Sequence, residues 1–322
     1  MEKLLDLSWG DPFFLLELLE TLHKPKFSTV NDLTYAPDAG MEELIAQVKS
    51  LTYKTTGNHY KHFLITNGAT QAINIIMKVW KKERKISSVI TSELGYPYYP
   101  EMIRKVGLDH IQDSHLIYPQ HKTYDTNMFI IDSPSNPLGK QISGNKKKNT
   151  IWDAVYHNPI YNANKLIKPS HDVYVSSLSK LMGVTGARIG WIATNNMAEY
   201  NSFLNESLYD IATVSKPSQK LAIELLSNIN MDTFMDFGKI LLDNNREILQ
   251  KISSLTDTDV QEVGMFYTFE ADGSLKKVFK KANINFVEVN DRNHDYIRLN
   301  LGQTASVLIE SVKRITKADR RK

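Results

Sequence analysis

The run Ser176-Ser177-Leu178-Ser179-Lys180-Leu181-Met182-Gly183-Val184-Thr185-Gly186-Ala187-Arg188-Ile189-Gly190-Trp191 sets a lysine among small hydroxyl residues and leads through a glycine-punctuated loop to an arginine eight residues on. An amine, hydroxyls and a guanidinium on so short a segment can converge on one phosphorylated aldehyde. A lysine amine forms a Schiff base with a carbonyl compound, and once desolvated it becomes a useful nucleophile or base. An arginine fork binds phosphate bidentately, where a lysine is only a point charge. Lys180 is therefore the candidate for the covalent anchor and Arg188 for the phosphate, with hydroxyl donors from Ser177 and Ser179. A bare Ser-x-Ser-Lys is usually an ordinary polar loop. The glycines and Arg188 make this one specific.

Upstream, Asn149-Thr150-Ile151-Trp152 has a strand-like apolar pattern that puts Asp153, the first residue of Asp153-Ala154-Val155-Tyr156, at a strand's carboxyl end. Ligands of open α/β sheets sit there. Further up, the apolar strand Met128-Phe129-Ile130-Ile131-Asp132 runs into Ser133-Pro134-Ser135-Asn136-Pro137-Leu138-Gly139, where proline fixes φ and glycine tolerates positive φ in a turn. His62 to Thr66 reads as a strand, Asn67-Gly68-Ala69-Thr70 as a tight turn, and Gln71 to Lys82 as a helix with Ile73, Ile76, Met77 and Trp80 on one face. Free backbone N–H groups at a helix start favour an anion, so Gly68, Ala69 and Thr70 are candidates for a phosphate cradle.

In this order the segments resemble the lysine signature and accompanying apparatus of the fold type I pyridoxal 5'-phosphate (PLP) enzymes, the class I/II aminotransferase superfamily. The resemblance implies that Lys180 holds PLP as an internal imine and later moves the α-proton. It makes Asp153 the carboxylate beside the pyridine nitrogen, which keeps the ring an electron sink, and Tyr156 the hydrogen-bond partner of the ring's phenolic oxygen. Asn136 then faces that oxygen and the substrate carboxylate. In Gly95-Tyr96-Pro97-Tyr98-Tyr99-Pro100 the stacking position matches Tyr96, with Tyr98 as the alternative. Arg298, in the alternating run Asp295-Tyr296-Ile297-Arg298-Leu299-Asn300-Leu301-Gly302, resembles the carboxylate-binding arginine, and Gly10 lies in the N-terminal turn Leu7-Ser8-Trp9-Gly10-Asp11-Pro12 that approaches the substrate from the opposite side. Tyr35, in Thr34-Tyr35-Ala36-Pro37-Asp38-Ala39-Gly40, matches the tyrosine that reaches the phosphate of a second subunit, which implies a homodimer with shared sites.

Within the superfamily the resemblance is closest to the tryptophan aminotransferase and alliinase group. It rests on Gly10-Asp11-Pro12, Thr66-Asn67-Gly68-Ala69-Thr70-Gln71, Ser133-Pro134-Ser135-Asn136-Pro137, Tyr156-x-x-Pro159 and Val214-Ser215-Lys216-Pro217-Ser218-Gln219. The implied activity is transfer of an amino group from an L-amino acid to a 2-oxo acid. The alliinase side implies the alternative of a lyase acting at carbon–sulfur bonds or eliminating a β- or γ-substituent. A degenerate binding module on the same fold is a third reading, motivated by the short middle of the chain. The interval from Asn136 to Asp153 is only 17 residues, Lys146-Lys147-Lys148 within it, and His157-Asn158 stands where the plant group has bulkier aromatics.

The implied fold class is α/β, PLP transferase fold type I. A mostly parallel sheet flanked by helices forms a large domain over residues 30–215, and residues 1–29 and 216–322 form a smaller α+β domain whose linking helix runs from about Leu221 to Leu249. Val263 to Glu270 and Asp295 to Leu301 read as strands of that smaller domain. The 39 basic and 36 acidic residues give a net charge of +3, too balanced to argue for nucleic acid, and the basic end from Lys317 to Lys322 reads as solvated. There is no cysteine, which fits a reducing, cytoplasmic setting. Phe13-Phe14-Leu15-Leu16 and Leu18-Leu19 are broken by Glu17 and Glu20 and read as an amphipathic helix, so no membrane or targeting segment and no metal site are expected.

Overall fold

In the computed structural model of the chain, residues 3–8, 10–23, 34–113, 125–139, 141, 148–161, 173–256, 264–291 and 294–319 are described. Trp9, Lys146, Lys147, Val263 and the end of the basic tail lie outside them. The strands are β1 (Leu5–Asp6), β2 (His62–Asn67), β3 (Ser88–Ser92), β4 (Asp109–Asp113), β5 (Asn127–Asp132), β6 (Thr150–Asp153), β7 (Val173–Ser177), β8 (Ile189–Thr194), β9 (Phe266–Glu270), β10 (Ile284–Asn285), β11 (Val287–Asn290) and β12 (Asp295–Asn300). The helices are α1 (Phe13–Leu22), α2 (Glu42–Thr56), α3 (Gly68–Glu83), α4 (Tyr99–Val106), α5 (Leu178–Leu181), α6 (Met197–Ile211), α7 (Lys216–Asn228), α8 (Met231–Gln250), α9 (Ser253–Thr256), α10 (Gly273–Lys281) and α11 (Ala305–Ala318).

Among the described residues, seven strands form one sheet in the order β2-β8-β7-β6-β5-β3-β4, and only β8 runs against the others. Residues alternate between its two faces, as the period of a strand requires. Phe63, Ile65, Phe129, Ile131, Trp152, Tyr174 and Trp191 belong to one core, and Leu64, Met128, Ile130, Ile151, Val173, Val175 and Ile192 to the other. Both faces are covered, which explains why β5 and β7 are buried along their whole length. Helix α3 packs across β7 and β8 and is flanked by α4 and α6.

The second region is built on the antiparallel sheet β11-β12-β9 and the parallel pair of β1 with β10, with α8 packed on α1 and α11. The helix expected from Leu221 to Leu249 is two helices. Ile229 turns to an extended conformation, and the Asn230 side chain accepts from the Asp232 and Thr233 N–H groups and so starts α8 afresh. Helix α3 begins at Gly68 rather than Gln71, so the expected turn is the helix's own first residues. No helix among the described residues is long and apolar enough to cross a membrane.

Candidate active site

The carboxyl ends of β2, β5, β6 and β7 and the start of β8 share one edge of the large sheet, because Asn67 pairs with Ile189, Asp132 with Asp153, Asp153 with Val175 and Ser177 with Gly190. Every loop that carries a sequence-derived site residue of the large sheet leaves from that edge. Gly68 follows β2, Tyr96 follows β3, Asn136 follows β5, Tyr156 follows β6, Lys180 follows β7 and Arg188 precedes β8.

Lys180 sits in the single helical turn after β7, whose first position is bounded by Ser177. Its Nζ donates to the Gly10 carbonyl at 2.8 Å and lies 3.5 Å from Asp11 Oδ1. Burial lowers the proton affinity of the amine, Asp11 opposes that, and Arg188 and Arg298 add to it. Ser177 and Ser179 are buried beside it. The Tyr161 hydroxyl donates to the Lys180 carbonyl at 2.5 Å, so the backbone of this turn is fixed as well.

Asp153 is 9% exposed and accepts from the Tyr99 hydroxyl at 2.6 Å and from the Val155 N–H at 3.2 Å. Burial raises its pKa, and these two donors hold it back. Tyr99 is the residue that sequence reasoning passed over, since its motif offered three tyrosines and the stacking role went to Tyr96. Tyr96 meets the Tyr99 ring edge-on at 5.3 Å; burial raises the pKa of its hydroxyl, the Asp153 charge adds to this and the Thr70 side chain opposes it. Tyr156 packs edge-on against Phe266 and Tyr161 at 5.7 Å each, and the charges of Arg298, Asp153 and Asp11 all act on it.

Arg298, on β12, reaches across from the smaller sheet. Its Nη1 donates to Asn136 Oδ1 at 2.8 Å and its Nη2 to the Ser8 carbonyl at 2.7 Å, with the guanidinium 4.3 Å over the Phe266 ring. Its Nε is buried without a partner, a donor that suits an anion. A Cβ on Gly10 would sit 3.5 Å from Phe266, 3.6 Å from the Tyr156 hydroxyl and 3.7 Å from Met265, so the N-terminal turn lies directly over the cluster.

The first turn of α3 has no side-chain cap, which leaves its N–H groups free. Gly68 has φ +75°, and a Cβ there would collide with the Arg188 guanidinium. Arg188, itself at φ 56°, donates to the Thr185 carbonyl at 3.1 Å and to the Asn67 carbonyl at 3.4 Å. Gly68, Ala69, Thr70 and Arg188 thus form one cradle. Tyr35 stands apart from this arrangement and is 84% exposed.

An amine, a buried carboxylate and an uncapped helix start beside an arginine share one edge of this α/β sheet, the arrangement of a PLP-type transferase fold. The aromatic aminotransferase from Pyrococcus horikoshii superposes on the chain with a TM-score of 0.76, covering 98% of this chain and 96% of that one at 16% identity, a likeness of fold. The model of the family described as aminotransferase class I and II matches residues 2–315, and the chain belongs to that PLP-dependent family. An alliin lyase from Allium cepa var. aggregatum is 28% identical over 138 residues, 40% of this chain and 30% of the relative. The tryptophan aminotransferase-related protein 1 of Oryza sativa subsp. japonica is 24% identical over 210 residues, 63% of this chain and 46% of the relative. The chain therefore spans less than half the length of these two relatives.

The residues fit PLP. The uncapped start of α3 with Arg188 suits a phosphate, Asp153 suits a protonated ring nitrogen, and a half-buried amine of lowered proton affinity suits an aldehyde.

Proposed function

We propose that the chain is an aminotransferase that moves the amino group of an L-amino acid to a 2-oxo acid, with Lys180 as both the attachment point for PLP and the carrier of the α-proton. The observation that carries this reading is the placement of Lys180, whose half-buried Nζ lies against the Gly10 carbonyl and Asp11 at the sheet edge, where burial lowers its proton affinity. A base that must take a proton near neutral pH needs that shift. Bound PLP supplies an aldehyde that condenses with amines and a ring that draws electrons from the adjoining carbon.

The chain's own groups do the rest. Asp153, held by Tyr99 and Val155, presents a carboxylate to the ring nitrogen. Tyr156 would donate to the phenolic oxygen, and Tyr96 would stack on the ring. Gly68, Ala69, Thr70, Ser177, Ser179 and Arg188 hold the phosphate. Arg298 and Asn136, already bonded to each other, receive the substrate carboxylate, with Gly10 closing the opposite side. Two copies share their sites, with Tyr35 reaching the partner's phosphate, and a cytoplasmic setting goes with this reading.

The similarity to alliin lyase favours one second reading, a lyase that releases ammonia after eliminating a β- or γ-substituent. Absorbance of the PLP-loaded protein, followed with single amino acids and no acceptor while ammonia is assayed, separates the two. Stoichiometric loss of the aldehyde form without ammonia establishes the transferase and names its donor. Sustained ammonia release establishes the lyase. Lys180→Ala abolishes both signals, and a fully active Lys180→Ala variant overturns the site.

A further inference from the structure

Two carboxyls, not one, end side by side on the edge that carries the site. Asp132 closes β5, Asp153 closes β6, and the parallel register pairs them directly. Paired residues on neighbouring strands point to the same face about 4.8 Å apart. With Asp132 4% and Asp153 9% exposed, water does little to screen the pair. Two adjacent buried carboxylates cannot both ionise cheaply, so one keeps a proton.

Local bonding decides which. Asp153 receives a short O–H bond from Tyr99 at 2.6 Å and an N–H bond from Val155 at 3.2 Å, so both of its oxygens are engaged. Asp132 Oδ2 accepts from the Asn136 N–H at 3.0 Å, while Oδ1 is buried with no partner. Charge-assisted bonds favour the anion, and a bare buried oxygen penalises it. The negative charge belongs on Asp153 and the proton on Asp132.

We propose that Asp132 is a positioning residue that stores the proton of this pair: as a neutral acid it leaves Asp153 the single anion toward the ring nitrogen, and once ionised it adds a second charge beside it. The proposal rests on Asp153 as the partner of the PLP ring nitrogen. The groups that face Asp132 are Asp153 from β6, the Tyr99 hydroxyl from α4, and the backbone N–H groups of Tyr96 and Asn136 from the loops after β3 and β5. Burial pushes Asp132 up to about 7; the N–H groups of Asn136, Asp132 itself and Tyr96 oppose this, and the neighbouring Asp153 charge adds to it. The switch therefore falls within the working range of an enzyme. Ionisation of Asp132 strengthens the pull on the ring-nitrogen proton, so that proton persists to higher pH. The same Asp132 also ties the Asn136 loop to the strand end, and Asn136 in turn holds Arg298.

Infrared spectra of the cofactor-free protein test the proton's place without any catalysis. A carboxylic-acid band is expected at about pH 6, above the range in which ordinary carboxyls keep their protons, lost by about pH 9, and missing from Asp132→Asn. A wild-type protein without the band, or a band that survives in Asp132→Asn, overturns the proposal. If Asp132→Asn does not fold, Asp153→Asn decides the point: Asp132, freed of its charged neighbour, loses the band at lower pH, and an unmoved midpoint overturns the assignment. In the PLP-loaded protein, Asp132→Asn should keep the PLP Kd within about threefold at about pH 6, because its amide resembles the neutral acid. The wild type is expected to show an absorbance step near neutral pH that this variant lacks, and a step retained by the variant, or none in the wild type, speaks against Asp132. Failure of the wild type to take up PLP overturns the reading of the whole site instead, while the infrared result still places the proton.

Discussion

Lys180 is held by one backbone carbonyl and one carboxylate, and the balance between burial and Asp11 sets when its amine becomes neutral. The folded protein gives up this proton at lower pH than the unfolded chain. The stability linked to Lys180 is therefore reduced below the folded value and recovers as pH rises toward the ordinary lysine range. The rate of PLP capture by cofactor-free protein, plotted against pH, should have its midpoint below that of an ordinary lysine. Asp11→Asn should move it lower still, because the Asp11 carboxylate is what favours the ammonium form against burial. Tyr99→Phe deletes the hydroxyl bond to Asp153 and nothing else of size. A hydrogen bond to a charged group is worth about 1.5–3 kcal/mol, so PLP affinity should fall roughly ten- to a hundredfold with little change in shape, as an absorbance titration would show.

At the level of elements, α3 depends on two glycines for its approach to the sheet. A Cβ on Gly190 would lie 2.5 Å from the Gly68 carbonyl carbon and 2.7 Å from the Ala69 nitrogen, so Gly190→Ala must drive the helix start away from β8. Overpacking of this kind costs about 1–3 kcal/mol, and here it should also widen the phosphate cradle, so thermal melting and phosphate or PLP affinity should drop together. Asn230→Ala touches no part of the site. It removes the cap of α8 at a cost of about 1 kcal/mol, and should lower the melting temperature while leaving PLP affinity unchanged. The break it marks was not legible in sequence, since Ile229 and Asn230 fit a continuous helical pattern until backbone conformation is known. The loops of the large sheet were legible because glycine, proline and lysine chemistry is written locally. The pairing of Asp132 with Asp153 was not, since it exists only once β5 and β6 lie in register, and Tyr99 gained its role from a contact 54 residues away. The same limit hid the contacts of the N-terminal turn, whose partners lie near residue 300.

For the molecule as a whole, the site lies between the large sheet and the small one, with Arg298 bonded to Asn136 from one and to Ser8 from the other end of the chain. A ligand that binds only the folded form stabilises it by mass action, about 2.7 kcal/mol at a hundredfold excess over Kd. PLP should therefore raise the melting temperature of the entire chain in one cooperative step, and a second transition unaffected by PLP would show that the two parts unfold separately.

The segment that carries Gly10 has a further consequence, concerning time rather than energy. Strand β1 pairs with β10 at Ile284 and Asn285, the Asn300 side chain donates to the Asp11 carbonyl, and the Phe14 N–H donates to the Gly302 carbonyl. None of these partners exists until residues 284 to 302 have been made. The turn at Gly10 must wait for a partner 289 residues further along, so the seat of Lys180 is completed long after Lys180 itself has been made, and a chain stalled before residue 284 holds this lysine without the turn that covers it.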